Sequence, residues 1–480
     1  MVAEKLQERI GQESDRFAWG LVLFVAAAGG AIWLSLHVGD LGYRFKYLQP
    51  NMELDYAVGV LMWFGFAVGI LIFGRDSRRM LLLAWVAKFF VVLVAMLFYE
   101  HHYGLDAGDY FDLKLSGRHW WYPGVDFRED LIPSFTPKYR MGTGLAEGYE
   151  PETLGGTSTT ENFLRVLLLV TYFTPPSYHA MKVEFAFFGL LGVWFFYRAV
   201  VVAAGRPWPA VFYVLAFFPS ILFWSSTLGK DPLQFLFMGL YAYGGALWFV
   251  EGRLRAILWI GMSLLVVYLI RPWSSVMGGA ALILATVLGR GRPWQVGMMT
   301  LLTLPVLMLG IHQLVVFLEG RDLSLVLGFV ESVRGVAEGY GMEGASGEKD
   351  VDLSSRDGLI ASWPLAFFSG LFRPLPYDIT NPFTALAALE NTIVLVLAVV
   401  ALFRFRLAYL RDPLVLWPFL YTVIWTNFYG FIVMVNFGSG VRYKIQMWPF
   451  FLLMLLSLTY SQGRAFLTSR LPARRADFRH

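Results

Sequence analysis

The chain contains no cysteine. That excludes a disulfide framework, a thiolate nucleophile and a zinc-thiolate site, and it leaves the redox compartment unmarked. Charge is scarce as well. Asp, Glu, Lys and Arg make up 15% of the 480 residues, against about a quarter in an average soluble domain. Water alone is therefore not the solvent of this chain. The formal net charge of +4 is spread as single arginines between apolar runs rather than as a basic stripe, which argues against nucleic acid as a partner. No small-residue cleavage site follows the first apolar run, so that run reads as an anchor helix and not as a removed leader. There is also no repeat of fixed period, and no inverted pair of Gly/Pro-broken runs that would suggest a transporter built of halves.

Apolar residues, by contrast, make up 57% of the chain, and aromatic ones 17%. A bilayer core about 30 Å thick needs about 20 apolar residues per helix. The sequence accordingly predicts an all-α fold, a polytopic transmembrane helix bundle of about twelve spans. They fall at roughly 17–36, 56–74, 80–99, 179–198, 208–225, 232–250, 254–270, 273–289, 295–318, 384–402, 413–431 and 443–460. Pro272 marks either a tight turn between two of these or a kink in one broken segment.

Arginines orient the bundle. Arg75, Arg78 and Arg79, Arg198 and Arg206, Arg253 and Arg255, Arg290 and Arg292, Arg404, Arg406 and Arg411, and the tail from Arg464 to Arg475 share one side. Lys5, Arg9 and Arg16 agree with them, so that side is cytoplasmic and both termini lie there; the cell's inner (plasma) membrane is the expected host. Five regions result: N-terminal helices over 1–99, a first extracytoplasmic loop over 100–178, central helices over 179–318, a second such loop over 319–383, and C-terminal helices with a cytoplasmic tail over 384–480. Loops this long are usually functional or disordered. Interfacial helices are expected in both, at Phe163 to Thr174 and at Ile360 to Leu371, the latter ended by Phe372-Arg-Pro-Leu-Pro.

The densest chemistry opens the first loop. Glu100-His-His-Tyr-Gly-Leu-Asp-Ala-Gly-Asp-Tyr-Phe-Asp112 follows a long apolar run, where carboxylates can stay ionised without the cost of mid-bilayer burial. Other polar residues fall on the same outer boundary: Lys230 and Asp231, Arg271, Arg373, Glu390, and Arg442 with Tyr443. Short outer loops are normally poor in Lys and Arg, so their presence suggests a task. Arginine's planar fork matches phosphate oxygens and lysine serves as a point charge, so this set suits a lipid-linked phosphate or diphosphate. A carboxylate opposite would accept a proton from an attacking hydroxyl, which completes the minimal set for glycosyl transfer.

Plainer readings stand beside these. Single arginines at helix ends also serve as snorkelling anchors, and Asp231 before Pro232 also suits a helix N-cap. Asp106, Asp109 and Asp112 also suit a solvated loop edge, and Trp120 with Trp121 an interfacial belt. No cofactor is required; a divalent cation held by His101, His102, Asp106 and Asp109 is the one candidate, at a spacing typical of no particular metal site.

Five segments in order resemble the GT-C class of integral-membrane glycosyltransferases, in particular bacterial proteins similar to protein mannosyltransferases and aminoarabinose transferases. They are Asp106-Ala-Gly-Asp-Tyr110, Phe218-Pro-Ser-Ile-Leu-Phe-Trp-Ser-Ser-Thr-Leu-Gly-Lys-Asp-Pro232, Tyr268-Leu-Ile-Arg-Pro272, Leu371-Phe-Arg-Pro374 and Arg442-Tyr443. The resemblance implies a polyprenyl-phosphate-linked sugar donor, a glycan, lipid or protein acceptor, and an inverting displacement at the anomeric carbon. By position it implies Asp106 as the base, with Asp109 as second choice and Tyr110 among the substrate-binding residues. The class places its carboxylate loop after the first span, whereas here the stretch follows the third. Either two helices precede it or the outer loop at Asp40 to Asp55 is the counterpart. A polysaccharide polymerase or O-antigen-ligase-like enzyme using undecaprenyl-diphosphate glycans is the nearest alternative. A transporter or flippase of lipid-linked glycans is the second; the span centres hold few ionisable residues, which argues against ion-coupled carriage.

Overall fold

The computed structural model describes residues 52–102, 107, 110, 162–163, 165–167, 169–170, 174, 177–289, 292–300, 347 and 356–459. Every regular element among them is helical, with no strand. The expected span at 17–36, most of that at 295–318 and most of both long loops lie outside the described residues.

Contacts divide the chain into two units, and one helix, Tyr178–Ala204 (α4), contributes its first residues to one and the rest, from Phe188, to the other. The first unit also contains Met52–Phe73 (α1), Arg78–Phe90 (α2) and Met96–His102 (α3). Between α2 and α3 the helix widens into a π turn at Val91–Ala95. Tyr56 Oη donates to the Leu93 carbonyl at 2.7 Å within that turn, so a backbone acceptor in the widened segment finds its donor on α1. Trp63 and Trp85 lock α1 to α2 by exchange: each indole Nε1 donates to the other residue's carbonyl, at 3.1 and 3.0 Å.

The second unit holds Pro209–Phe217 (α5), Pro219–Trp224 (α6), Lys230–Glu251 (α7), Arg255–Ile270 (α8), Pro272–Leu288 (α9), Arg356–Phe372 (α10), Pro382–Arg404 (α11), Pro413–Val435 (α12), Phe437–Tyr443 (α13) and Trp448–Thr459 (α14). Small residues let these helices approach closely. A side chain at Gly239 of α7 would collide with the backbone of Gly192 on α4, and one at Gly430 of α12 with Ala366 on α10. The core is aromatic. Tyr241 Oη donates to the Gly278 carbonyl at 2.6 Å and accepts from Trp417 Nε1 at 2.7 Å, while Phe450 lies against Tyr421 and Trp417.

Two boundaries differ from the sequence expectation, and a third, which it left open, is decided. The span expected at 208–225 is two short helices, because Pro219 disfavours the helical conformation at Phe218 and leaves it extended. Pro272 marks a turn rather than a kink: Arg271 leaves helical geometry, and α8 folds back on α9 so that Ser275 Oγ donates to the Leu264 carbonyl at 2.7 Å. The last apolar helix begins at Trp448, whereas the last span was expected to begin at 443, since Asn436 caps the separate helix α13 and a 3-10 turn, Lys444–Gln446, intervenes. The helix expected at Ile360 to Leu371 is present within α10 and ends at Phe372, ahead of Pro374.

Five helices among the described residues are long and apolar enough to cross a membrane: Leu54–Phe73, Tyr178–Ala204, Lys230–Glu251, Pro382–Arg404 and Pro413–Val435. Their outward surface is apolar too, with Leu61, Leu389 and Phe403 exposed. A chain of this kind belongs in a membrane.

Candidate functional site

The second unit gathers five of the ten site residues singled out in the sequence at one group of helix ends. Lys230 and Asp231 form the first turn of α7, Arg271 is the corner between α8 and α9, and Arg442 with Tyr443 closes α13. Asp231 is wholly buried, and both its oxygens meet arginines. Arg271 Nη2 donates to Oδ1 and Arg442 Nε to Oδ2, each at 2.5 Å. One carboxylate thus fixes two guanidinium groups from chain positions 40 and 211 residues away, and Lys230 adds its charge beside them.

Aromatic rings complete the support. The Arg271 guanidinium lies 4.6 Å from the centre of the Tyr443 ring, and that of Arg442 lies 5.8 Å from the Trp224 ring. Cations held over ring faces lose less on leaving water. Tyr443 in turn sits 5.2 Å from Tyr429. Burial by itself would lower the Arg271 pKa, but the negative charge of Asp231 and the Tyr443 phenol outweigh it and hold the guanidinium above its ordinary range. Arg271 Nε is buried and has no hydrogen-bond partner among the described residues, so this fork is anchored at one nitrogen and keeps an unused donor.

Arg373 is built differently. Its Nε and Nη2 donate to the two oxygens of Asp378 at 3.0 and 2.5 Å, and Asp378 also accepts from the Leu375 backbone N–H at 2.8 Å. Phe437, the first residue of α13, lies beneath the guanidinium at 4.8 Å. The Arg373 carbonyl accepts from Lys444 Nζ at 2.6 Å, and Lys444 reaches Asn391 Oδ1 at 3.3 Å. Glu390, the next residue on α11, is buried and takes both donors of Ser220 at the start of α6, the backbone N–H and Oγ, each at 2.7 Å. Glu390 and Arg373 therefore sit in clamps, one between distant helices and one local, that hold the Pro219 and Pro374 turns.

Asp106 and Asp109, with His101 and His102 as side chains, lie outside the described residues; Tyr110 is described and is buried in the first unit. Asp55, from the alternative outer loop, is engaged there as a clamp. It accepts from the Tyr178 and His179 backbone N–H groups at 2.9 and 3.0 Å and lies 2.5 Å from His179 Nδ1. Beside it Glu100 accepts from Tyr178 Oη at 2.9 Å and from Lys182 Nζ at 2.8 Å. Among the described residues no three His, Asp or Glu side chains gather as a metal ion would need.

Sequence reasoning passed over Asp378 and Tyr429, and it named Trp224 only as part of the Phe218–Pro232 segment, with no role of its own. Asp378 carried a signal, an acid in the turn that follows Arg373-Pro-Leu-Pro. Tyr429 carried none, being one aromatic residue among many. Comparison with family models, with curated proteins and with solved structures returns no match for this chain.

Proposed function

We propose that this chain is a membrane glycosyltransferase that moves a sugar from a polyprenyl-phosphate-linked donor to a glycan, lipid or protein acceptor at the outer face of the cell's inner membrane. In this reading the chain crosses the bilayer about twelve times, with both termini in the cytoplasm. The observation that carries it is the pair of arginines, Arg271 and Arg442, aimed by one buried carboxylate and seated on Tyr443 and Trp224. Such a pair is preorganised for a phosphate ester, because its side-chain freedom is already lost before ligand arrives.

The reaction then needs one proton acceptor. The acceptor hydroxyl oxygen bonds to the anomeric carbon as the bond from that carbon to the phosphate oxygen breaks. Asp106, or Asp109 in second place, takes the hydroxyl proton, and the leaving phosphate keeps the electron pair under Arg271, Arg442 and Lys230. Arg373 and Glu390 serve the site by holding the Pro374 and Pro219 turns, and Tyr110 is the further substrate-binding residue that the resemblance implies.

Reconstitution in proteoliposomes with a radiolabelled polyprenyl-phosphate sugar tests this. Label should pass to an acceptor, Asp106→Asn should lower turnover with donor affinity kept, and Arg271→Ala should weaken donor affinity first. Equal and mild effects of both substitutions would sink the division of labour, and ladders of product would favour a polymerase. A carrier of lipid-linked glycans is the second reading, favoured by the buried Lys182–Glu100 pair within the helices of the first unit. It would show as movement of labelled lipid with no new covalent product.

A further inference from the structure

An apolar crevice of about 100 Å³ lies in the second unit among α4, α7, α12 and α14. Ala203, Ala242 and Ala246 form one side, and Trp208, Phe405 and Trp417 stand around it. The volume is somewhat less than the roughly 150 Å³ that holds a benzene ring in an engineered protein cavity, so a short stretch of alkyl chain fits. Ala203, Phe405 and Leu453 are half-exposed, so the crevice reaches the molecular surface. Nearby Leu402, Phe403 and Leu407 expose apolar side chains, which suits hydrocarbon outside.

Three exposed arginines are set in the segments that line it. Arg206 lies between the lining residues Ala204 and Trp208, Arg406 follows Phe405, and Arg411 lies between Tyr409 and Leu414. No salt bridge involves any of the three among the described residues. Apolar walls call for a chain, exposed guanidinium groups carried by residues beside the lining ones call for an anion, and one molecule supplies both.

We propose that this crevice binds an anionic phospholipid, with an acyl segment against Ala203 and Trp417 and the headgroup phosphate held by Arg206, Arg406 and Arg411. The assignment is independent of glycosyl transfer, since it uses none of the residues around Asp231. Basic residues between membrane helices favour acidic lipid by electrostatics at the surface, each contributing separately.

Native mass spectrometry of the detergent-purified chain, titrated with phosphatidylglycerol or phosphatidylcholine, reads the result. One phosphatidylglycerol should be retained at a concentration about tenfold or more below that needed for phosphatidylcholine. The triple variant R206Q/R406Q/R411Q should lose this preference, whereas A203F should reduce retention of both lipids. Equal retention of the two by the native chain, or a preference that survives the triple variant, overturns the proposal. So does a dimer that A203F dissociates, which would make a second copy of the chain the occupant.

Discussion

Arg271 and Arg373 occupy the same kind of position, at the end of an apolar helix and directly before a proline, but their carboxylates are arranged in opposite ways. Among the described residues Arg373 shares Asp378, five residues on, with no second arginine, and its fork meets both oxygens. Arg271 shares Asp231 with Arg442 and spends one terminal nitrogen on it. A bidentate pair uses up the directional capacity of the guanidinium and ties a turn shut, which is a structural service. A shared carboxylate fixes where two cations point while leaving donors such as Arg271 Nε unused. The first arrangement holds the backbone, and under the proposed function the second is the one that would meet a further anion.

The widest gap between the two should appear when each carboxylate is removed. Asp231→Ala leaves two buried guanidinium groups without their common partner, and removing one member of a buried pair costs about 3–5 kcal/mol. Asp378→Ala strands one guanidinium and one backbone N–H, and Lys444 still holds the Arg373 carbonyl. Unfolding in detergent should therefore place Asp231→Ala well below Asp378→Ala in stability. Equal losses would mean that sharing the carboxylate carries no special weight.

Replacing the cations sharpens the contrast at the level of binding. Lysine keeps the charge and loses the fork. Arg271→Lys should weaken binding of a polyprenyl phosphate by about ten- to a hundredfold, the worth of one to two charge-assisted bonds. Arg373→Lys should leave that affinity nearly unchanged and lower stability instead. Equilibrium binding of fluorescent polyprenyl phosphate to both variants separates the outcomes, and a matching loss at Arg373 would place it in the ligand's path.

Much of this was legible in the chain before any coordinates. Apolar run length announced an all-helical membrane chain, Arg-Pro at 373–374 announced a helix end, and Arg-Pro at 271–272 announced a turn or a kink without deciding between them. Partnership was not legible. Nothing in the spacing of Arg271, Asp231 and Arg442 says that one carboxylate serves two arginines, because the pairing depends on which helix ends tertiary packing brings together. Nor could Glu390 be read as a clamp for Ser220, since its partner lies 170 residues away. The break at Pro219 was missed for a different reason. Hydropathy sums over a window, and a window of apolar residues hides a single proline whose effect falls on the backbone of Phe218.

The smallest expected effect concerns the ring beneath Arg271. Tyr443→Phe keeps the face 4.6 Å from the guanidinium and removes only the phenol, so affinity for the lipid phosphate should be almost unmoved. Tyr443→Leu removes the face itself, a contact worth about 0.5–1 kcal/mol, or roughly two- to fivefold in affinity. On the other arginine, Phe437→Leu removes the ring at 4.8 Å but leaves the bidentate Asp378 pair intact. Lipid-phosphate affinity should respond to the ring under Arg271 and ignore the ring under Arg373. Equal responses at the two rings would dissolve the distinction between an arginine that meets ligand and one that holds a turn.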